Sequence, residues 1–113
     1  MASKHVLVIG AGASGLAVMK EAKELGHRVT CFEMALVIGG VYAKTYDCTT
    51  LTTSSCLTAF SDYSDGKEAC PTYWTANELL AYFDGFAKKF ELYKNISFKT
   101  KVERLQRCAE TGE

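Results

Sequence analysis

The chain is poor in several things, and each shortage excludes something. It holds one proline, so a proline-rich linker or recognition arm is excluded. No apolar run approaches the about 18–20 residues that a membrane-crossing helix needs. The short run Val6–Ile9 is too brief for a signal peptide, and glycines follow it at once. Positive and negative side chains number 13 each. That balance argues against nucleic acid or an anionic membrane surface as the main partner. Only two histidines occur, His5 and His27, isolated from each other and from any metal-ligand spacing. The five cysteines, Cys31, Cys48, Cys56, Cys70 and Cys108, are odd in number. Their spacing fits neither a zinc site nor a disulfide framework, so no metal is expected. Reduced thiols are the expectation, which points to a cytoplasmic setting. Internal repeats and low-complexity tracts are lacking too.

What is present is concentrated in the first forty residues. Val6-Leu-Val-Ile9 leads into Gly10-Ala11-Gly12-Ala13-Ser14-Gly15. A helical pattern follows from about Ser14 to Leu25, with Leu16, Met19 and Ala22 inward and Lys20, Glu21 and Glu24 outward. Gly26 is its stop. Arg28–Phe32 reads as a second strand, ended by Glu33. This order of strand, glycine turn, helix, strand and acid describes a site for the ADP half of a dinucleotide. Gly10 permits the sharp turn, Gly12 lets backbone approach a pyrophosphate, and Gly15 lets helix and strand pack closely. The N–H groups at the start of the helix face the phosphates. Glu33, about 20 residues beyond the motif, is placed to accept from both ribose hydroxyls. Val6, Val8 and Ile9 form the unbroken run of a central parallel strand buried on both faces.

The rest is read more coarsely. Thr49–Ser55 mixes β-branched and turn-favouring residues. Asp62–Pro71 reads as a surface loop with a turn at 64–66. Thr75-Ala-Asn-Glu78 is a capping box that opens a helix to about Phe90. Leu79, Phe83, Phe86 and Phe90 form one stripe with Tyr82 beside it, a core face. Ile96–Val102 alternates as a strand that joins the sheet in parallel, and Val102, Leu105 and Cys108 suggest another. Glu110–Glu113 looks like a hairpin turn. The fold class is α/β: a Rossmann-like parallel sheet of the FAD/NAD(P)-binding type, incomplete within these 113 residues.

The glycine motif alone does not separate FAD from NAD. Gly39-Gly40, a second glycine pair soon after Glu33, allows another close backbone approach down the same crevice, which suits the extended FAD. At this point the residues resemble a family. Gly10–Leu16, Thr30–Glu33, Ile38–Gly40 and Phe86–Val102 are similar to the N-terminal part of flavin-containing monooxygenases, the dimethylaniline monooxygenase type. The resemblance covers nearly the whole chain.

It implies that Gly10, Ala11, Gly12, Ala13 and Ser14 hold the FAD pyrophosphate, with Gly15 completing the cofactor-binding motif, and that Glu33 holds the adenine ribose. Gly40, Val41 and Tyr42 would lie beside the flavin portion, and Thr52 and Thr53 at the nicotinamide-contacting pair. No catalytic side chain is implied, because the cofactor carries the chemistry. Three positions depart from the family pattern. Tyr42 stands for Trp, Met34–Val37 for an Arg-containing run, and Thr53 for Asn. Disulfide reductases fit worse, since Cys48 and Cys56 are too far apart for their motif. Amine oxidases fit worse too, since Val41 follows the glycine pair where they carry Arg.

The resemblance implies a full protein that uses FAD, NADPH and O2 to oxygenate nucleophilic nitrogen or sulfur. Residues 1–113 would be the N-terminal part of its FAD-binding domain. They contain no second Gly-x-Gly-x-x-Gly for NADPH, so the NADP-binding domain is expected outside this stretch and the 113 residues alone are expected to be inactive. The alternatives are a stand-alone dinucleotide-binding module, or another FAD-dependent oxidoreductase without oxygenase activity.

Overall fold

A computed structural model describes residues 2–66 and 70–111. Three parallel strands run in the order β1 (His5–Ile9), β2 (Arg28–Phe32), β3 (Ile96–Ser97). His5 pairs with Arg28 and Ile9 with Phe32, and Cys31 and Phe32 pair with Ile96 and Ser97. The crossover between β1 and β2 is α1 (Ala13–Glu24), and that between β2 and β3 contains α3 (Ala76–Lys89). A one-turn helix, α2 (Ser55–Thr58), and a 3-10 turn at Gly40–Lys44 lie between. No helix among the described residues is long and apolar enough to cross a membrane.

Both helices start and stop where the sequence puts the signals. Thr75 Oγ1 accepts from the Glu78 N–H at 3.2 Å, and Glu78 Oε2 accepts from the Thr75 N–H at 2.8 Å. The capping box is formed. At the end of α1, Gly26 takes φ +81°, a left-handed conformation that stops the helix without a Cβ penalty. Lys23 reaches from α1 to donate to the carbonyls of Phe90 and Glu91 at 3.0 and 2.8 Å, capping the far end of α3 with a cation.

The core lies between the sheet and the two helices. Val8, Leu16, Met19, Val29 and Cys31 meet Leu79, Tyr82, Phe83 and Phe86 there. Phe60 is inserted against Phe86 with ring centroids 4.5 Å apart. Tyr82 secures that loop, accepting from the Phe60 N–H and donating to the Tyr63 carbonyl at 2.8 and 2.7 Å.

Four expectations need correction. β1 is not buried on both faces: Val8 is inside, while Leu7 and Ile9 are about half exposed (44% and 50%). Both helices cover the same face, and β1 lies at one edge of the three strands, with β2 between it and β3. The strand expected over Ile96–Val102 stops at Ser97, because Lys99 turns through φ +52° and the chain bonds back to Ala35 and Glu33. Val102, Leu105 and Cys108 form no further strand among the described residues; the stretch is irregular, with Leu105 and Cys108 exposed. Lys20 does not face outward. It is 5% exposed, surrounded by Asp62, Glu24 and Glu21 and 5.4 Å from the Phe90 ring centre.

Thr49–Ser55, left open between strand and turn, makes one antiparallel bridge, Thr50 to Thr75, and then enters α2. Parts of the Asp62–Pro71 loop (Lys67–Ala69) and of the Glu110–Glu113 turn (Gly112, Glu113) lie outside the described residues.

Candidate nucleotide site

The site sits where parallel sheets place ligands, at the carboxyl ends of the strands. β1 runs into Gly10, which takes φ +94°. Its N–H donates to the Phe32 carbonyl at 2.9 Å, tying the turn to β2. Gly15 stands so near that turn that a Cβ on it would lie 1.9 Å from the Gly10 carbonyl oxygen. Close packing of helix on strand therefore requires glycine there. Gly12 is different. A Cβ on Gly12 would meet only Gly40 backbone, at an ordinary 3.5 Å. The protein itself does not need the space over Gly12; a ligand would.

The second glycine pair closes on the first. The Gly39 N–H donates to the Ala11 carbonyl at 3.0 Å. Gly39 and Gly40 have φ +117° and +59°. Two cavities share this junction. One, of about 330 Å³, is lined by Gly10, Gly12–Gly15 and Gly39–Tyr42. α1 begins there with no side-chain cap and no acid in its first turn, so its first N–H groups are left for an anion. The other, of about 580 Å³, opens beside Glu33 and is walled by Ile9, Phe32, Met34, Ala35, Val37 and Thr100–Val102. Lys44 and Lys101 also border it.

Glu33 is buried at 6% exposure. One carboxylate oxygen accepts from the Ala11 N–H at 2.7 Å and the other from the Ala35 N–H at 2.8 Å. Burial, with the Glu33 charge nearby, pushes the Cys31 thiol up to about 11. That thiol stays protonated at neutral pH, an inert core group.

Most of the residues expected to bind the cofactor thus gather at one junction. Gly10, Gly12, Ala13, Ser14, Gly15, Gly40, Val41 and Tyr42 border the smaller cavity, and Glu33 borders the larger. Ala11 is fully buried, with its N–H on Glu33 and its carbonyl on Gly39. Tyr42 is half-buried, its ring edge-on to Phe83 at 6.5 Å. Thr52 and Thr53 are exposed and line neither cavity; the Thr53 and Thr58 hydroxyls share a hydrogen bond of 2.7 Å.

Residues that sequence reading missed include Ile9, Phe32, Lys44 and Thr100–Val102. Ile9 and Phe32 had a positional signal, because each ends a strand. Lys44 and Thr100–Val102 carried no such mark.

With that geometry in place, likeness to known proteins is decisive. Residues 3–113 match the model of the flavin-binding monooxygenase-like family. The chain belongs to that family. It is 38% identical to a 4-hydroxybenzoate brominase (decarboxylating) of Pseudoalteromonas luteoviolacea, over 88% of this chain and 20% of that protein. It is 38% identical to human flavin-containing monooxygenase 2, over 96% of this chain and 22% of that one. Among solved structures, an oxidized steroid monooxygenase bound to NADP superposes with a TM-score of 0.76 at 31% identity, over 89% of this chain and 20% of that one. This flavin-binding monooxygenase-like chain therefore spans about a fifth of the length of these relatives.

Proposed function

We propose that residues 1–113 are the N-terminal part of the FAD-binding domain of an NADPH- and O2-dependent flavin monooxygenase acting on nucleophilic nitrogen or sulfur. The observation that carries the reading is the junction of the two glycine segments at Gly12 and Gly40, which borders both cavities. Gly12 leaves space that the protein does not fill, and α1 presents its uncapped start there. Those are the requirements of a pyrophosphate, so the residues fit the cofactor.

In this reading the N–H groups at Gly12–Ser14 bind the pyrophosphate, and Glu33 accepts from the adenine ribose hydroxyls. A carboxylate offers about four lone-pair directions, and two are used by Ala11 and Ala35. The apolar wall of Ile9, Phe32, Met34 and Val37 suits an adenine face. Val41 and Tyr42, on the wall of the smaller cavity, would lie toward the flavin end. FAD, when bound, supplies electron transfer from NADPH and oxygen activation. Thr52 and Thr53 would meet the nicotinamide of NADPH, whose own domain lies outside these residues.

The test uses the 113-residue chain and ADP. Amide shifts on titration should be confined to Gly10–Gly15, Glu33–Ala35 and Gly39–Tyr42. No shift at saturating ADP, or shifts elsewhere, would remove the reading. The chain supplied with FAD and NADPH should consume no NADPH. Oxygenation of an amine or sulfide by the full protein is the second measurement, and peroxide release without product would count against the monooxygenase assignment.

A further inference from the structure

We infer that Glu33 is a positioning residue for both glycine segments, acting through the single residue Ala11. This rests on the nucleotide-site reading for its consequence on binding, but not for its geometry. A carboxylate that is 6% exposed must be hydrogen-bonded to be tolerated. Glu33 has its partners without any ligand: Ala11 N–H at 2.7 Å and Ala35 N–H at 2.8 Å. Its backbone is engaged too. The Glu33 N–H donates to Ser97 at 3.0 Å, and its carbonyl accepts from Thr100 at 2.9 Å.

Four connections therefore converge on one residue, and they reach every loop that follows a strand in this sheet. The glycine turn after β1 is held by the Ala11 N–H. The turn after β2 is held by the Ala35 N–H. The turn after β3 is held through Thr100.

Ala11 passes the connection on. Its carbonyl accepts from the Gly39 N–H at 3.0 Å, and Gly40 then packs over Gly12. The position of Gly40, and so of Val41 and Tyr42 on the cavity wall, depends on a residue whose N–H is fixed by Glu33. A residue that only met a ribose would influence one end of the ligand. Glu33 sets the pyrophosphate end as well, before the ligand arrives. Preorganisation of this kind lowers the cost of binding.

The test separates positioning from ribose contact. In ligand-free protein, Glu33→Ala should raise amide exchange at Ala11 and Gly39 by roughly tenfold or more, as a charge-assisted hydrogen bond is lost. Leu79 and Leu92, bonded within and just after α3, should keep their protection. Unchanged exchange at Ala11 and Gly39 would overturn the inference. Should Glu33→Ala fail to fold, Glu33→Asp serves: one methylene shorter, it cannot span both N–H groups, and the same pattern is expected.

Titration with ADP and with 2′,3′-dideoxy-ADP completes the test. Positioning predicts that the variant weakens both ligands. A loss seen with ADP alone would reduce Glu33 to a ribose contact and overturn the inference. If the unsubstituted chain binds neither ligand, the nucleotide reading falls, and the exchange measurement still decides the role of Glu33.

Discussion

Lys20 and Asp62 form an ion pair that fastens the middle of α1 to the loop entering the aromatic core. Glu24 and Glu21 bond the same ammonium at 2.7 and 3.1 Å. Hydrogen bonds to Asp62 and then Glu24 hold the Lys20 pKa above its ordinary 10.5. The pair gathers three carboxylates within 4.8 Å of one another around one cation.

Lys20→Met should therefore lower the thermal midpoint, leaving three carboxylates crowded with no cation between them. Part of the loss should return on adding salt, which screens like charges at the surface. A midpoint unchanged at low ionic strength would show that the pair does not hold the loop.

The same pair sets an acid dependence. The Lys20 hydrogen bond holds the Asp62 carboxyl below its ordinary 3.8. A carboxyl whose folded value is depressed stabilises the fold above its unfolded value, and loses that contribution as pH falls through the folded one. Lys20 is raised, so its contribution is complete below 10.5 and constant through neutrality. Urea unfolding between about pH 7 and about pH 3 should thus fall more steeply for the unsubstituted chain than for Asp62→Asn. Parallel slopes would remove Asp62 from the account.

Two glycines should respond in opposite ways. Gly15→Ala drives a methyl to 1.9 Å from a backbone oxygen. A cost of about 1–3 kcal/mol is expected from such overpacking. Gly12→Ala meets only ordinary contact, so its unfolding curve should be close to unchanged while ADP binding falls. Equal destabilisation by both would contradict the reading of Gly12 as a ligand-facing gap.

Thiol reactivity should divide the cysteines four to one. Cys48, Cys56, Cys70 and Cys108 are exposed and Cys31 is buried. Burial, then the Glu33 charge, pushes the Cys31 thiol up to about 11. A disulfide reagent near neutral pH should modify four thiols promptly and the fifth only on unfolding. Prompt modification of Cys31 would mean that β2 opens readily.

Removing the cap of α3 should be measurable alone. Thr75→Ala is expected to cost about 1 kcal/mol, and Thr75→Ser far less, because serine keeps the accepting oxygen. Denaturant unfolding of the two variants makes the comparison.

Local signals were legible in the sequence wherever a single residue type meets a single geometric need. Gly10, Gly15, Gly26 and the Thr75–Glu78 box are examples. Within a residue, α1 ran where apolar spacing put it, because Leu16, Met19 and Ala22 lie on one face. Lys20 escaped the same reasoning, since periodicity assigns a lysine to solvent. It is buried where Asp62 and Phe90, both distant in sequence, come back to meet it. The strand after α3 was overextended for a related reason. Alternation in Ile96–Val102 describes side chains, but pairing ends where Lys99 turns the backbone to Ala35. In the candidate site, the glycines and Glu33 could be named from spacing. The link from Glu33 through Ala11 to Gly39 could not, because the backbone groups through which separate loops bond leave no residue-type signature.

The half-covered sheet bears on how the 113 residues behave in a tube. β1 has no strand on its outer side among the described residues, and Leu7 and Ile9 stand uncovered beside that margin. Unpaired N–H and carbonyl groups next to apolar side chains are a template for adding another strand. Colloidal behaviour should then depend on concentration, with light scattering rising as the protein is concentrated. A charged substitution at Leu7, which leaves the helix-covered core untouched, should suppress it.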